Sequence, residues 1–113
     1  MNGTPELLQL PHPIGLYFAS ENTHTASVTD KCFAADAIVR DEGKTIEGVA
    51  AIRAWRVETV KKYNHRVEPL EVSERDRKII VKARVSGNFP GSPTILGHSF
   101  AIVADRIVSL EIR

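Results

Sequence analysis

Asp41 and Glu42 close the stretch FAADAIVRDEG, residues 33–43, in which Phe33, Ala35, Ala37 and Val39 alternate with mostly small or polar residues. Alternation of this kind has the period of a half-buried strand, so two consecutive carboxylates at its end must face opposite ways. Asp41 continues the inward series and is a candidate ionisable group of an interior pocket; Glu42 is its outward neighbour. A second alternating run places Leu96, His98, Phe100 and Ile102 on one face. A neutral imidazole donates at one nitrogen and accepts at the other, which makes His98 a candidate for proton handling. Plainer roles stand beside these: a carboxylate that accepts turn amide protons, and a histidine satisfied within the core.

Other chemistries find little support. The four histidines form neither HExxH nor any tight ligand spacing, so no metal centre is expected. The single cysteine, Cys32, has no partner for an internal disulfide and reads as a small apolar filler. The stretch GKTIEG lacks the upstream glycine of a nucleotide phosphate loop. Fifteen basic against fourteen acidic side chains leave a net charge of +1, which gives no general attraction to nucleic acid. No run of about eighteen apolar residues is present, so no membrane span is expected. The first fifteen residues contain neither lysine nor arginine, unlike a secretory signal, and the expected location is cytoplasmic.

The elements that would position these groups read as one α+β domain over residues 1–113, with residues 1–12 an irregular arm holding two of its prolines. Helices are predicted from Ile14 to about Asn22, over about 26–33, and over about 49–62. In the last of these, Ile52, Trp55, Thr59 and Tyr63 recur at three and four residues and define one face. Strands are predicted near 37–41, 45–47, 65–73, 78–87, 94–103 and 106–112, joined mostly by reversals too short for a crossover. The glycine- and proline-rich SGNFPGSP, residues 86–93, sharply turns the chain. Ile95, Gly97, Ser99, Ala101 and Val103 make a second, weakly polar face on the late strand. Helices can cover only one face, so a second copy is expected on the outer one.

The order of these pieces resembles the SnoaL-like branch of the superfamily that holds nuclear transport factor 2, polyketide cyclases and ketosteroid isomerases. The resemblance is carried by Phe33–Gly43, by GVAAIRAW at 48–55, and by SGNFPGSP together with LGHSFAIVADRIVSLEI. It implies a cone, three helices of the N-terminal half packed on a strongly curved, mainly antiparallel sheet around an apolar pocket. It also implies pairing of two copies through the outer sheet face. By the same resemblance Asp41 stands where the isomerases keep their base, and Tyr17 where they keep a hydroxyl donor. Phe100 falls where they keep a protonated acid, and a phenyl ring donates no hydrogen bond. His98, on the same strand face, is the candidate replacement, giving Asp41, Tyr17 and His98 as catalytic candidates. Phe33, Trp55, Tyr63, His65, Phe89 and Phe100 are the expected pocket walls. The implied chemistry is proton abstraction beside a carbonyl of a small, mainly apolar molecule, with no cofactor. The alternative is a non-catalytic small-molecule binding or protein-interaction domain.

Overall fold

The computed structural model describes residues 9–113. Most of the expected N-terminal arm lies outside the described residues, and His12 already opens the first helix. Helix α1, His12–Asn22, begins after Pro11 with Pro13 in its first turn, where a missing N–H is no loss. A single 3-10 turn, Ala26–Val28, leads into the four-residue α2, Thr29–Cys32. The long helix α3 runs Val49–Tyr63. Gly48 precedes it with φ 91° and ψ 150°, a conformation that a side chain would oppose. Asn64 ends it in the left-handed region, with its N–H bonded to the Val60 carbonyl at 2.8 Å.

Six strands form one sheet: β1 Phe33–Asp41, β2 Lys44–Glu47, β3 Arg66–Arg75, β4 Lys78–Ser86, β5 Thr94–Val103 and β6 Arg106–Ile112. Their order is β2-β1-β6-β5-β4-β3. Three reversals use two residues of positive φ: Glu42–Gly43, Asp76–Arg77 and Ala104–Asp105. This is the hairpin turn whose twist matches that of paired strands.

The strongly curved cone is not what forms, although the strand pairings among the described residues are mainly antiparallel. The sheet is mixed, because β6 lies parallel to β1, and open, because β2 and β3 are its two unjoined edges. It is not strongly curved. SGNFPGSP falls in the connection between β4 and β5, so it bends the chain without bending a strand.

Two local expectations also change. Phe33 begins β1 rather than ending a helix, and an irregularity in pairing with β6 between Phe33 and Ile38 interrupts the alternation. Ala35 consequently faces outward, while Phe33, Ala37 and Val39 remain buried.

The core lies between the helices and the inner face of the sheet. Ile14, Tyr17 and Phe18 of α1 meet Phe33 and Val39 of β1, Phe100 of β5 and Leu110 of β6. Tyr17 sits edge-on to Phe18, Phe33 and Phe100 at 5.2, 5.8 and 5.7 Å between ring centres. Aromatic pairs in this geometry contribute about 0.5–1.5 kcal/mol each beyond their buried area. On the outer face, Ile95 and Val103 are 56% and 62% exposed. Among the described residues no helix is long and apolar enough to cross a membrane.

Candidate active site

Beside the core the helices and sheet leave a cavity of about 980 Å³ with a mainly apolar wall. Helix α1 supplies Tyr17 and Glu21, the end of β1 supplies Asp41, the β1–β2 turn supplies Glu42, and α3 supplies Trp55, Thr59 and Tyr63. His65 enters from the link between α3 and β3, Val67 from β3, Phe89 from the β4–β5 connection, and Leu96 and His98 from β5. The three catalytic candidates therefore share one space, as do the expected walls Trp55, Tyr63, His65 and Phe89.

Phe33 and Phe100 do not line it. Both are sealed in the core, at 1% and 0% exposure, because the rings of Tyr17 and Phe18 cover the sheet there. Arg84 is exposed and paired with Glu68 at 2.7 Å.

Asp41 is the last residue of β1, opposite Lys44 in the hairpin and beside Ile112 of β6. Burial, reinforced by the neighbouring Glu42 charge, raises its carboxyl from the usual range to about 6. Glu42 is exposed at the rim, where the Tyr63 hydroxyl donates to it at 3.4 Å. Tyr63 in turn stands edge-on to Phe89 at 5.8 Å. Burial also pushes the Tyr17 hydroxyl well above its usual range, so it stays protonated and can donate. His98 is buried and held neutral by that burial. Its Nδ1–H donates to the Leu96 carbonyl at 3.3 Å, which leaves Nε2 as an acceptor.

Glu21 and His65, also in the cavity wall, belong to a buried ionic network. Glu21 is 5% exposed, Arg56 2% and His65 7%. His65 Nε2–H donates to Glu21 Oε1 at 2.8 Å, and Arg56 Nε–H donates to Glu21 Oε2 at 3.0 Å. Arg56 spends its remaining nitrogens on Thr29 Oγ1, at 3.0 Å, and on Ser20 Oγ. Its guanidinium carbon lies 5.2 Å from the centre of the Tyr17 ring. Burial alone would raise the Glu21 carboxyl, but the His65 hydrogen bond and the Arg56 charge outweigh it, and the net direction is down.

The position of His65 is fixed from both sides. His24 Nε2–H donates to the His65 carbonyl at 2.9 Å, and the Asn22 side chain bonds both the N–H and the carbonyl of Val67 at 2.8 Å. Gly87 packs so closely that a Cβ there would stand 2.7 Å from the Tyr63 carbonyl oxygen and 3.2 Å from the His65 Cβ. Among the described residues no group of three or more His, Cys, Asp or Glu side chains is placed to hold a metal ion.

No family model and no curated protein matches the chain. Solved structures do. A proposed polyketide cyclase from Sinorhizobium meliloti is 41% identical, with 92% of this chain and 95% of that chain covered and a TM-score of 0.88. A Catenulispora acidiphila protein of ketosteroid isomerase-like fold, crystallised with trimethylamine, is 20% identical over 93% of this chain and 86% of that one, with a TM-score of 0.78. A proposed SnoaL-like polyketide cyclase from Jannaschia is 12% identical over 96% and 90%, with a TM-score of 0.73. The last two share the fold alone. The first shares sequence along nearly the whole chain, and with it this protein belongs to the SnoaL-like branch of the nuclear transport factor 2-like, ketosteroid isomerase-like superfamily.

Proposed function

We propose that the protein is a cofactor-independent isomerase or cyclase that removes an acidic proton beside a carbonyl of a small, mainly apolar molecule. The observation that carries this reading is the presence of Tyr17, Asp41 and His98 in the wall of one cavity. Asp41 is the base. A carboxyl near pH 6 is ionised at neutral pH yet more basic than an ordinary aspartate, as proton abstraction from carbon requires. Tyr17 donates to the oxygen on which negative charge develops. With Nδ1–H already bound to Leu96, His98 serves as a neutral acceptor that orients a hydroxyl or enol of the substrate. The apolar walls, Trp55 among them, supply shape and exclude water. The Sinorhizobium meliloti relative, a proposed polyketide cyclase, favours the cyclase side of this pair. A second copy is the expected partner, seated over the exposed Ile95 and Val103. Mass in dilute solution tests that pairing.

The reaction is tested by deuterium incorporation from heavy water into a panel of small ketones and β-dicarbonyl compounds. Asp41→Asn should slow exchange by about 10²–10⁴-fold. Equal rates in the two proteins, both folded, would remove Asp41 from the chemistry. Saturable quenching of the lone tryptophan, Trp55, by compounds that never exchange would make the protein a binding protein instead.

A further inference from the structure

Some residues of the cavity wall also face solvent, and they locate its mouth. Glu42, Lys62, Asn88 and Pro90 line the cavity and are exposed, while Tyr63 and Phe89 line it and are half-buried. The opening therefore lies among the β1–β2 turn, the end of α3 and the β4–β5 connection. In the sheet, β6 and β5 stand between β1 and β4, a separation of about 14 Å at ~4.8 Å per strand. Tyr63 links the two sides. Its hydroxyl donates to Glu42 Oε1 at 3.4 Å, and its ring stands edge-on to Phe89 at 5.8 Å between centres. The backbone beneath is held. The Asn88 N–H donates to the Tyr63 carbonyl at 2.7 Å, the Gly87 N–H donates to Ser92 Oγ at 2.9 Å, and Gly87 has no room for a side chain. The two rings and the Glu42 contact are left to move, and a ring changes rotamer more readily than a pinned backbone shifts.

We propose that Glu42, Tyr63 and Phe89 form a bar across the mouth that selects ligands by width, admitting slim, unbranched apolar molecules and turning bulky ones away. The bar gives way by rotation of the Tyr63 and Phe89 rings, so the passage it opens is limited to the space a ring vacates. The Tyr63–Glu42 contact is its latch. At 3.4 Å it is long for an O–H···O bond, and Glu42 is exposed to water, so the latch releases readily. These three residues determine specificity and take no part in proton transfer. The proposal rests on the cavity alone: it concerns entry, and stands whether or not Asp41 removes a proton.

Entry is followed by stopped-flow quenching of Trp55, the lone tryptophan, which lies in the cavity wall. The probes are para-(n-butyl)acetophenone and para-(tert-butyl)acetophenone, isomers of equal composition and unequal width. In the wild type the tert-butyl isomer should associate about tenfold more slowly than the n-butyl isomer, and in Phe89→Ala the two rates should agree within about twofold. Phe89→Leu, which keeps much of the bulk, should retain most of the discrimination. Tyr63→Phe keeps the ring and loses the latch, so both isomers should enter about two- to threefold faster with their ratio kept. The Phe89 ring takes no part in the backbone bonds that hold the connection, and retained folding of each variant is checked by circular dichroism. Equal entry of the two isomers into the wild type overturns the bar, as does a ratio that Phe89→Ala leaves unchanged. Rates that Tyr63→Phe leaves unaltered overturn the latch. Quenching by neither isomer, in the wild type or in Phe89→Ala, overturns the bar together with the apolar cavity. Absence of deuterium exchange overturns the Asp41 reading and leaves this one in place.

Discussion

Two carboxylates line one cavity, and their surroundings drive their pKa values apart. Glu21 is the more buried, yet it stays ionised because His65 and Arg56 each hold one of its oxygens. Asp41 is only half-buried, yet it is pushed up to about 6, because burial and then the Glu42 charge outweigh the Lys44 charge and no salt bridge holds it among the described residues. Depth alone does not set the charge of a buried acid; the partners do. Such a divergence within one pocket is how a fold assigns different proton roles to chemically similar groups. It predicts that removing the partners of Glu21 should cost stability, while removing the charge of Asp41 should add to it.

The largest effect is expected at Arg56. Arg56→Met keeps most of the volume but strands Glu21, Ser20 and Thr29 around a missing cation. Breaking a buried pair from one side costs about 3–5 kcal/mol, measurable as a shift of the urea midpoint at unchanged slope. A loss below about 1 kcal/mol would mean that the network is wet and that the contrast with Asp41 is false.

Asp41 should behave in the opposite sense. Its folded pKa lies above the unfolded value, so between about pH 4 and 6 the folded state binds more protons. Stability therefore falls as pH rises through that window. The full shift corresponds to about 3 kcal/mol; solvent screening at this partly open position reduces the expected slope to about 1–2 kcal/mol. Asp41→Asn should flatten the curve over that window and make the protein more stable at pH 7, as it loses exchange activity. Glu21, with its pKa lowered, stabilises the fold above the ordinary glutamate range and gives that contribution up as pH falls through its folded value. A wild-type stability curve that is level between pH 4 and 6 would show that Asp41 is an ordinary surface acid.

The two carboxylates were not equally legible in the sequence. Asp41 could be found because a two-residue period runs straight into it, and His98 because its neighbours on either side alternate. The face of α3 was equally plain: Ile52 enters the core, and Trp55, Thr59 and Tyr63 line the cavity. Glu21 and Arg56 were missed, since a charged side chain on a helix ordinarily belongs to a solvated face. A signal was nonetheless present. Glu21 lies four residues after Tyr17, and Arg56 four after Ile52, so each falls on a buried helical stripe. An acid on one stripe and a base on another should have been read as partners. Phe100 shows the converse limit. Alternation correctly turned it inward, but could not tell cavity from core, a distinction made by the rings of Tyr17 and Phe18 arriving from α1. The open, mixed sheet was hidden for a related reason. Short reversals determine the pairing of consecutive strands, whereas β1 meets β6 from the far end of the chain.

The smallest effect is expected on the outer face, where Arg84 and Glu68 supply a control for the buried network. Their contact, at 2.7 Å, is shorter than that between Arg56 and Glu21, but their side chains are 48% and 63% exposed. Distance alone would rank this pair first. Solvent reverses the ranking, because two hydrated charges gain little from meeting. Arg84→Ala should therefore change stability by no more than about 0.5 kcal/mol at protein concentrations where any dimer has dissociated, and should leave exchange activity unaltered. Arg84 pairs in register with Ile95, so it lies on the face proposed to meet a second copy. A loss that grows with protein concentration would place Arg84 under that second copy. One that stays large in the most dilute samples would mean the outer pair is as dry as the inner one, and the difference between Arg84 and Arg56 would need a cause other than water.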